Sequence, residues 1–528
     1  MYDAIVIGAG HNGLAAAIHL AARGWKVAVI EQAAEAGGAV KTRELTQPGF
    51  RHDVAAMNLS MFAGSPFLAA YREPLTRHGL GFVPAPDCFA SAFPDGSWLG
   101  VSSDMETTVA RIAAVSTADA EAWRRMAGEF GRDAEHIFGL LGSPMPSLHA
   151  AKVAWKAYRA RGAGWFADTA RLALSSPRDF LDARFRSDKV KAMLAAWGMH
   201  LDFSPDTAGG ALFPYLESMA DQAFGMVIGA GGADTMVKAM VSYLKELGGE
   251  IRLGASVEEI VTTDGRAASV RLAGGDTLQA RRAVIANAHP KLVFGKLVAP
   301  DAARDGYDRK VAGFRAGPGA MMVHFALSGL PDWTAGAELK RFAYVHLAPS
   351  MEMMARTYAE AMGGMLPREP VLVVGQPTAV DPSRAPAGKH VLWVQVRVLP
   401  SEIRGDAAGS IAARDWDAAK ELYADRVVQV IERYAPGFSI RVLGRTVVSP
   451  LDLERENPNL IGGDSLSGSH HLDQFFMFRP VPGWSRYRTP VKGLYLCGAA
   501  TWPGAGTGAA SGYMLAKMLA GASPARHG

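Results

Sequence analysis

The chain has 528 residues, 49% hydrophobic and 20% charged, which excludes a disordered polymer and predicts a folded protein of two domains. A net charge of +4 over that length, with no basic tail or zinc-finger pattern, argues against a nucleic-acid partner. Two cysteines, Cys88 and Cys497, are too few for a disulfide framework, a Cys-rich zinc site or an iron–sulfur cluster, and no metal is expected.

The first strand is Tyr2-Asp3-Ala4-Ile5-Val6-Ile7, which leaves no room for a targeting peptide. No apolar run reaches membrane-spanning length, so a cytoplasmic location is expected, with contact to a membrane surface left open. The strand runs into Gly8-Ala9-Gly10-His11-Asn12-Gly13, a G-x-G-x-x-G turn. A helix is predicted from Leu14 to Arg23, then a strand from Trp25 to Ile30 ending at Glu31. Gly8 suits the tight turn, Gly10 the approach of a pyrophosphate to a helix N-terminus, and Gly13 close packing of helix on strand. Glu31 is placed to accept hydrogen bonds from a ribose, and His11 and Asn12 either line the cofactor or cap the turn. Gly37 and Gly38, with Lys41, Thr42 and Arg43, resemble the extended flavin-binding signature of the amine-oxidase and phytoene-desaturase superfamily. That resemblance implies FAD rather than NAD.

Residues 148–174 carry Lys152, Lys156, Arg159, Arg161 and Arg171 against one acid, Asp168, with Trp155, Tyr158, Trp165 and Phe166 interleaved. Such a segment fits either a solvated surface helix or a helix resting on an anionic bilayer. Gly229 to Asp234 lead into a helix from Thr235 to Leu247, followed by short strands through Thr262 and a buried strand from Ala283. Met351, Met353, Met354, Met362 and Met365 fit an apolar tunnel or ordinary core. His470, His471, Asp473 and Arg479 are ambiguous between catalysis and packing, and no catalytic side chain is assigned.

The strand Gly493 to Gly498 opens onto Ala499-Ala500-Thr501-Trp502-Pro503-Gly504-Ala505-Gly506-Thr507-Gly508 and a helix to Leu519. A glycine-rich turn at a helix start supplies backbone N–H groups for negative charge on a reduced flavin. Cys497 could attach flavin covalently, but inside an apolar strand it is expected to be structural, so FAD is taken as non-covalent.

Tyr487 to Gly498 is similar to the C-terminal signature of the carotenoid phytoene desaturase-like FAD-dependent oxidoreductases. The nearest branch is that of the pyridine nucleotide-disulphide oxidoreductase domain-containing proteins. Leu472-Asp473-Gln474-Phe475-Phe476, Arg479-Pro480 and Asp381 to His390 match the same branch. The resemblance implies an α/β fold: a Rossmann-type FAD domain from residues 1–65, 225–295 and 485–528, and an α+β substrate domain from 66–224 and 296–484. The first substrate piece is expected to be mostly helical. The resemblance places Val257 near the adenine, and Gly498, Ala499, Gly506 and Thr507 near the flavin. Two departures stand out: Ala499 replaces a frequent acid, and Trp502 a frequent histidine, which shifts a cofactor contact to backbone N–H and puts Trp502 on the substrate side. The implied reaction is hydride transfer from a C–C unit of a hydrophobic small molecule to flavin N5. Amine oxidation, redox-neutral isomerisation or saturation, and a non-catalytic flavin-bearing binding protein remain open from sequence.

Overall fold

The computed structural model describes residues 1–521. Its first strand, Tyr2–Ile7, is buried along its whole length and is therefore a central strand covered on both faces. It pairs in parallel with Val27–Ile30 on one side and with the end of Thr277–Ala286 on the other. Glu250–Arg252 and Leu494–Leu496 extend the parallel sheet at its two ends. Three separated stretches of chain thus supply one sheet. The hairpin Val257–Thr263 and Arg266–Leu272 joins the first half of the Thr277–Ala286 strand. Helices His11–Ala22, Thr235–Glu246 and Ala510–Ala520 pack over the face that carries Ala4, Val6, Val27 and Val29.

A second, mixed sheet of seven strands runs in the order Val442–Val448, Gly319–Leu327, His390–Leu399, Val371–Gly375, Tyr344–Leu347, Asp87–Ala92, Trp98–Ser102. All its pairings are antiparallel except that of Tyr344–Leu347 with Asp87–Ala92. Helix Trp416–Tyr434 covers one face. Helices Thr117–Leu141, Asp188–Met199 and Leu212–Phe224 contribute to the core on the other.

Residues 66–224 are mostly helical, as expected, but the sequence reading did not foresee that Asp87–Ala92 and Trp98–Ser102 form the edge of the second sheet. Nearly all their residues are buried, so the alternation that betrays a strand is missing. The first helix begins at His11 rather than Leu14, so Gly13 lies inside its first turn.

The segments meet at a buried ion pair. Arg384 and Asp53 are both fully buried and joined through Nη1 and Oδ2. Arg384 Nη2 also donates to the Gly229 carbonyl at 2.7 Å, and Asp53 Oδ1 accepts from Ala233 N at 2.7 Å and Thr42 Oγ1 at 2.7 Å. Removing one partner strands the other charge without water. Arg384→Met is expected to lower stability by about 3–5 kcal/mol, read as an earlier urea midpoint, and Asp53→Asn combined with Arg384→Met to recover part of that loss. Equal midpoints for the single variant and the parent protein would show that the pair pins nothing.

Candidate functional site

The first glycine turn forms one wall of a cleft of about 420 Å³. Gly10 is the N-cap of helix His11–Ala22 and brings no side chain, so the first-turn N–H groups are left to a ligand. With the positive end of the helix dipole, they match an anionic pyrophosphate. Gly8, Gly10, His11 and Asn12 line the cleft. Gly13 does not: a Cβ there would run into the Gly8 carbonyl, so this glycine packs helix against strand.

Glu31 and Val257 line the same cleft. Glu31 Oε2 accepts from Ala9 N at 2.7 Å and Oε1 from Ala33 N at 2.9 Å. Two backbone donors fix the carboxylate and leave lone pairs for a ribose diol. Gly38 and Lys41 also line the cleft, whereas Gly37 lies behind it, donating to the Ala9 carbonyl at 3.0 Å. Lys41 arrives already paired, its Nζ 2.6 Å from Glu456 Oε1. Arg43 shares that carboxylate at 2.7 Å, so the lysine is not a free cation for phosphate.

From the far end of the chain come Gly498, Ala499, Gly506 and Thr507. The two dipeptide side chains of the first turn tie both glycine turns together. His11 Nε2 lies 3.0 Å from the Gly506 carbonyl oxygen, and Asn12 Oδ1 accepts from Gly512 N at 3.3 Å. Burial pushes the His11 imidazole down to about 4. Gly512 has to be glycine because a Cβ would occupy the place of the Asn12 carbonyl. Cys497 reaches the cleft, but burial pushes its thiol up, and a neutral thiol is a poor nucleophile.

The ambiguous residues sort themselves by contact. His470 Nε2 accepts from Ala505 N at 3.1 Å, and burial holds its imidazole well below the ordinary histidine range. It is a neutral clamp on the flavin-side turn. His471 lies instead by Asp202, 2.9 Å from that residue's carbonyl oxygen. Asp473 pairs with Arg315 at 2.8 Å on the surface. Arg479 is fully buried and donates to the carbonyls of Ser469 and Ala499, each at 2.8 Å. Trp502 is not on the substrate side. It is fully buried, donates to the Ser143 carbonyl at 2.7 Å and packs 5.4 Å from the Phe475 ring, bracing the turn from behind. Met351 and Met354 are core residues while Met362 is exposed, so the methionines do not form one tunnel.

Sequence reasoning missed Asn287, whose Nδ2 donates to the Gly8 carbonyl at 3.3 Å and whose side chain fills the space between Gly8, Gly10 and Gly498. It also missed Asn457 and Asn459, which line the cleft from the second substrate-domain segment. The only local signal was the turn-forming Asn457-Pro458-Asn459. Glu31→Ala is expected to weaken FAD binding about tenfold, read by fluorescence titration of the apoprotein. In the parent protein all flavin should come free on denaturation, because Cys497 holds none; flavin retained on the unfolded chain would contradict this.

Residues 13–512 match the family described as flavin containing amine oxidoreductase. The chain is 30% identical to mouse (Mus musculus) pyridine nucleotide-disulfide oxidoreductase domain-containing protein 2, over 98% of this chain and 93% of that protein. It is 27% identical to the neurosporene-forming phytoene desaturase of Rhodobacter capsulatus, over 98% of this chain and 94% of that one. Its fold is similar to that of an oxidoreductase from Methanosarcina mazei, with a TM-score of 0.60 at 18% identity, covering 97% of this chain and 98% of the other. A cleft walled by two glycine turns, with a carboxylate fixed by two backbone donors, is therefore that of an FAD-dependent oxidoreductase, and the chain is a member of the flavin containing amine oxidoreductase family.

Proposed function

We propose that this flavoprotein is a dehydrogenase of the desaturase type, removing two hydrogens from adjacent carbons of a largely apolar substrate. The observation that carries the reading is the position of the flavin-side turn. Thr507 lines the cleft and its Oγ1 donates to the Asn58 carbonyl at 3.4 Å, and Asn58 borders the interior of the second domain. A substrate held there can meet the cofactor directly. Similarity to a phytoene desaturase over nearly the whole chain supports the same chemistry.

FAD, when bound, supplies the two-electron acceptor. The protein supplies position and a dry site. The helix His11–Ala22 and Glu31 hold the dinucleotide half. His470 fixes Ala505, and the buried Phe475, Trp502 and Tyr487 keep water from the back of the turn. Anaerobic mixing with apolar candidates, phytoene first among them, is expected to bleach the oxidised-flavin band. If no candidate bleaches a flavin that dithionite reduces readily, the reading fails.

We also propose peripheral contact with an anionic membrane through the helical segment Leu148–Leu174, which is broken at Gly162. Leu148, Trp155, Tyr158 and Leu174 are exposed, and the Trp155 and Tyr158 rings stack at 5.5 Å. Lys156 and Arg161 are engaged by Glu135 and Asp133 of the neighbouring helix, which leaves Lys152, Arg159 and Arg171 for lipid phosphates. Flotation with phosphatidylserine liposomes at low salt is expected to carry the protein up, and Trp155→Ala to reduce this. Protein remaining at the bottom of the gradient would exclude the contact.

A further inference from the structure

The seven-stranded sheet is buried on both faces, and on one of them several buried polar side chains share the surface with Phe89, Met322, Val371 and Val373. Toward helix Trp416–Tyr434 it presents Ala90, Val345, Val374, Val394 and Val396. The alternate positions of the same strands, on the opposite face, include Ser91, Tyr344, His346, Trp393, Gln395 and Arg397. Buried polar groups normally find partners. Among the described residues, Ser91 Oγ, His346 Nδ1 and Trp393 Nε1 have none.

The helical cover repeats the pattern. Helix Leu212–Phe224 carries Glu217 and Asp221 one turn apart. Neither carboxyl has a hydrogen bond or a cation among the described residues, and Asp221 Oδ2 is buried without a partner. Burial alone pushes the Glu217 carboxyl up to about 7, and burial, with Glu217 one turn away adding to it, holds the Asp221 carboxyl well above the ordinary range. Tyr344 joins cover to sheet. Its ring stacks on Trp393 at 5.7 Å, and both carboxyls lie within electrostatic reach of its hydroxyl. That hydroxyl also lies against the backbone of Asn58, the residue bonded to Thr507 of the flavin cleft.

On the same helix Phe213, Glu217, Ala220 and Phe224 fall on one stripe, at spacings of four, three and four residues. Phe213 lies 6.5 Å from the His470 ring that clamps the flavin-side turn, and Phe224 is exposed at the other end. Glu217 is half-buried between them.

We propose that Glu217, Asp221 and Trp393 form a head-group site between the polar face of the second sheet and its helical cover, selecting a substrate whose apolar body ends in a hydroxyl group. The assignment of this face to substrate rests on the dehydrogenase reading above. A hydroxyl both donates, to a carboxyl oxygen, and accepts, from the indole N–H. An ammonium can donate but offers the indole nothing. A bare hydrocarbon leaves both sets of groups unpaired, which a dry site penalises.

Calorimetric titration of the FAD-loaded full chain with 1-hexanol, n-hexylamine and methyl pentyl ether tests this. Hexanol is expected to bind about tenfold tighter than either. Glu217→Leu and Trp393→Phe should each abolish that preference while FAD content and melting stay unchanged. Ether binding as tightly as hexanol, amine binding more tightly, or an intact preference in both folded variants would overturn the site. Where a variant does not fold, the ranking on the parent protein decides. A hydroxyl preference without flavin bleaching by any candidate would keep the site and refute the dehydrogenase reading; bleaching without the preference would do the reverse.

Discussion

A guanidinium shut away from water has to spend its N–H groups on the protein, and where it spends them fixes which parts of the chain lie together. Arg384 spends them on Asp53, on the Gly229 carbonyl and, at 3.4 Å, on Asp381. These belong to three stretches that are far apart in sequence. Asp53 passes the constraint on, because its second oxygen takes Ala233 N at the approach to helix Thr235–Glu246. Such a pair adds little net stability over an apolar replacement, since two charges must be desolvated. Its effect is on registry, and neighbouring bonds reinforce it: Gly231 N donates to Asp381 Oδ2 at 2.7 Å and Asp234 N to Thr42 Oγ1 at 3.2 Å. Arg479 does the same with neutral partners, gathering carbonyls from residues 466–469 and from Ala499. The loop that carries His470 is thereby tied to the flavin-side turn.

The cleft itself follows from two helices whose N-terminal ends must come close. Asn12 and Gly512 are in contact because glycine leaves no Cβ in the way, and His11 bridges to Gly506. Bringing two positive helix ends together is unfavourable without an anion between or beside them. The close approach is therefore coherent only for a ligand that carries negative charge at one end and develops it at the other. A dinucleotide flavin meets both conditions.

What could be read from sequence was whatever is local. Gly8, Gly10, Gly13 and Glu31 lie within one strand–turn–helix–strand unit, where spacing alone dictates geometry, and the far glycine turn has the same character. Asn287 was hidden because its role depends on parallel pairing of Ala283–Ala286 with Ala4–Ile7, a contact between residues nearly the whole FAD domain apart in sequence. Lys41 was visible, but its partner Glu456, from the other end of the chain, was not. Trp502 stands in a position that invites a substrate role. Only the Ser143 carbonyl and the Phe475 ring, supplied by other segments, show that it braces the fold. Asp87–Ala92 was missed for the opposite reason, since burial on both faces erases the pattern that marks a strand.

The second sheet carries the contrast furthest. Its strands are built alike, and the face under helix Trp416–Tyr434 is what a core requires: Val, Leu, Ala and Phe. If the other face served only to pack against the helical cover, the same residues would serve it better, because every unpaired buried polar atom costs about 1–3 kcal/mol. Ser91, His346, Trp393, Asp221 and Ser218 all keep such atoms there. A fold that tolerates this cost on one face and avoids it on the other is not distributing polarity by chance. The polar face borders the Asn58 and Thr507 wall of the flavin cleft, where a bound molecule can complete the missing hydrogen bonds. The family frame therefore implies the cofactor, while the head-group site we propose would let the polarity of one sheet face choose what is brought to it.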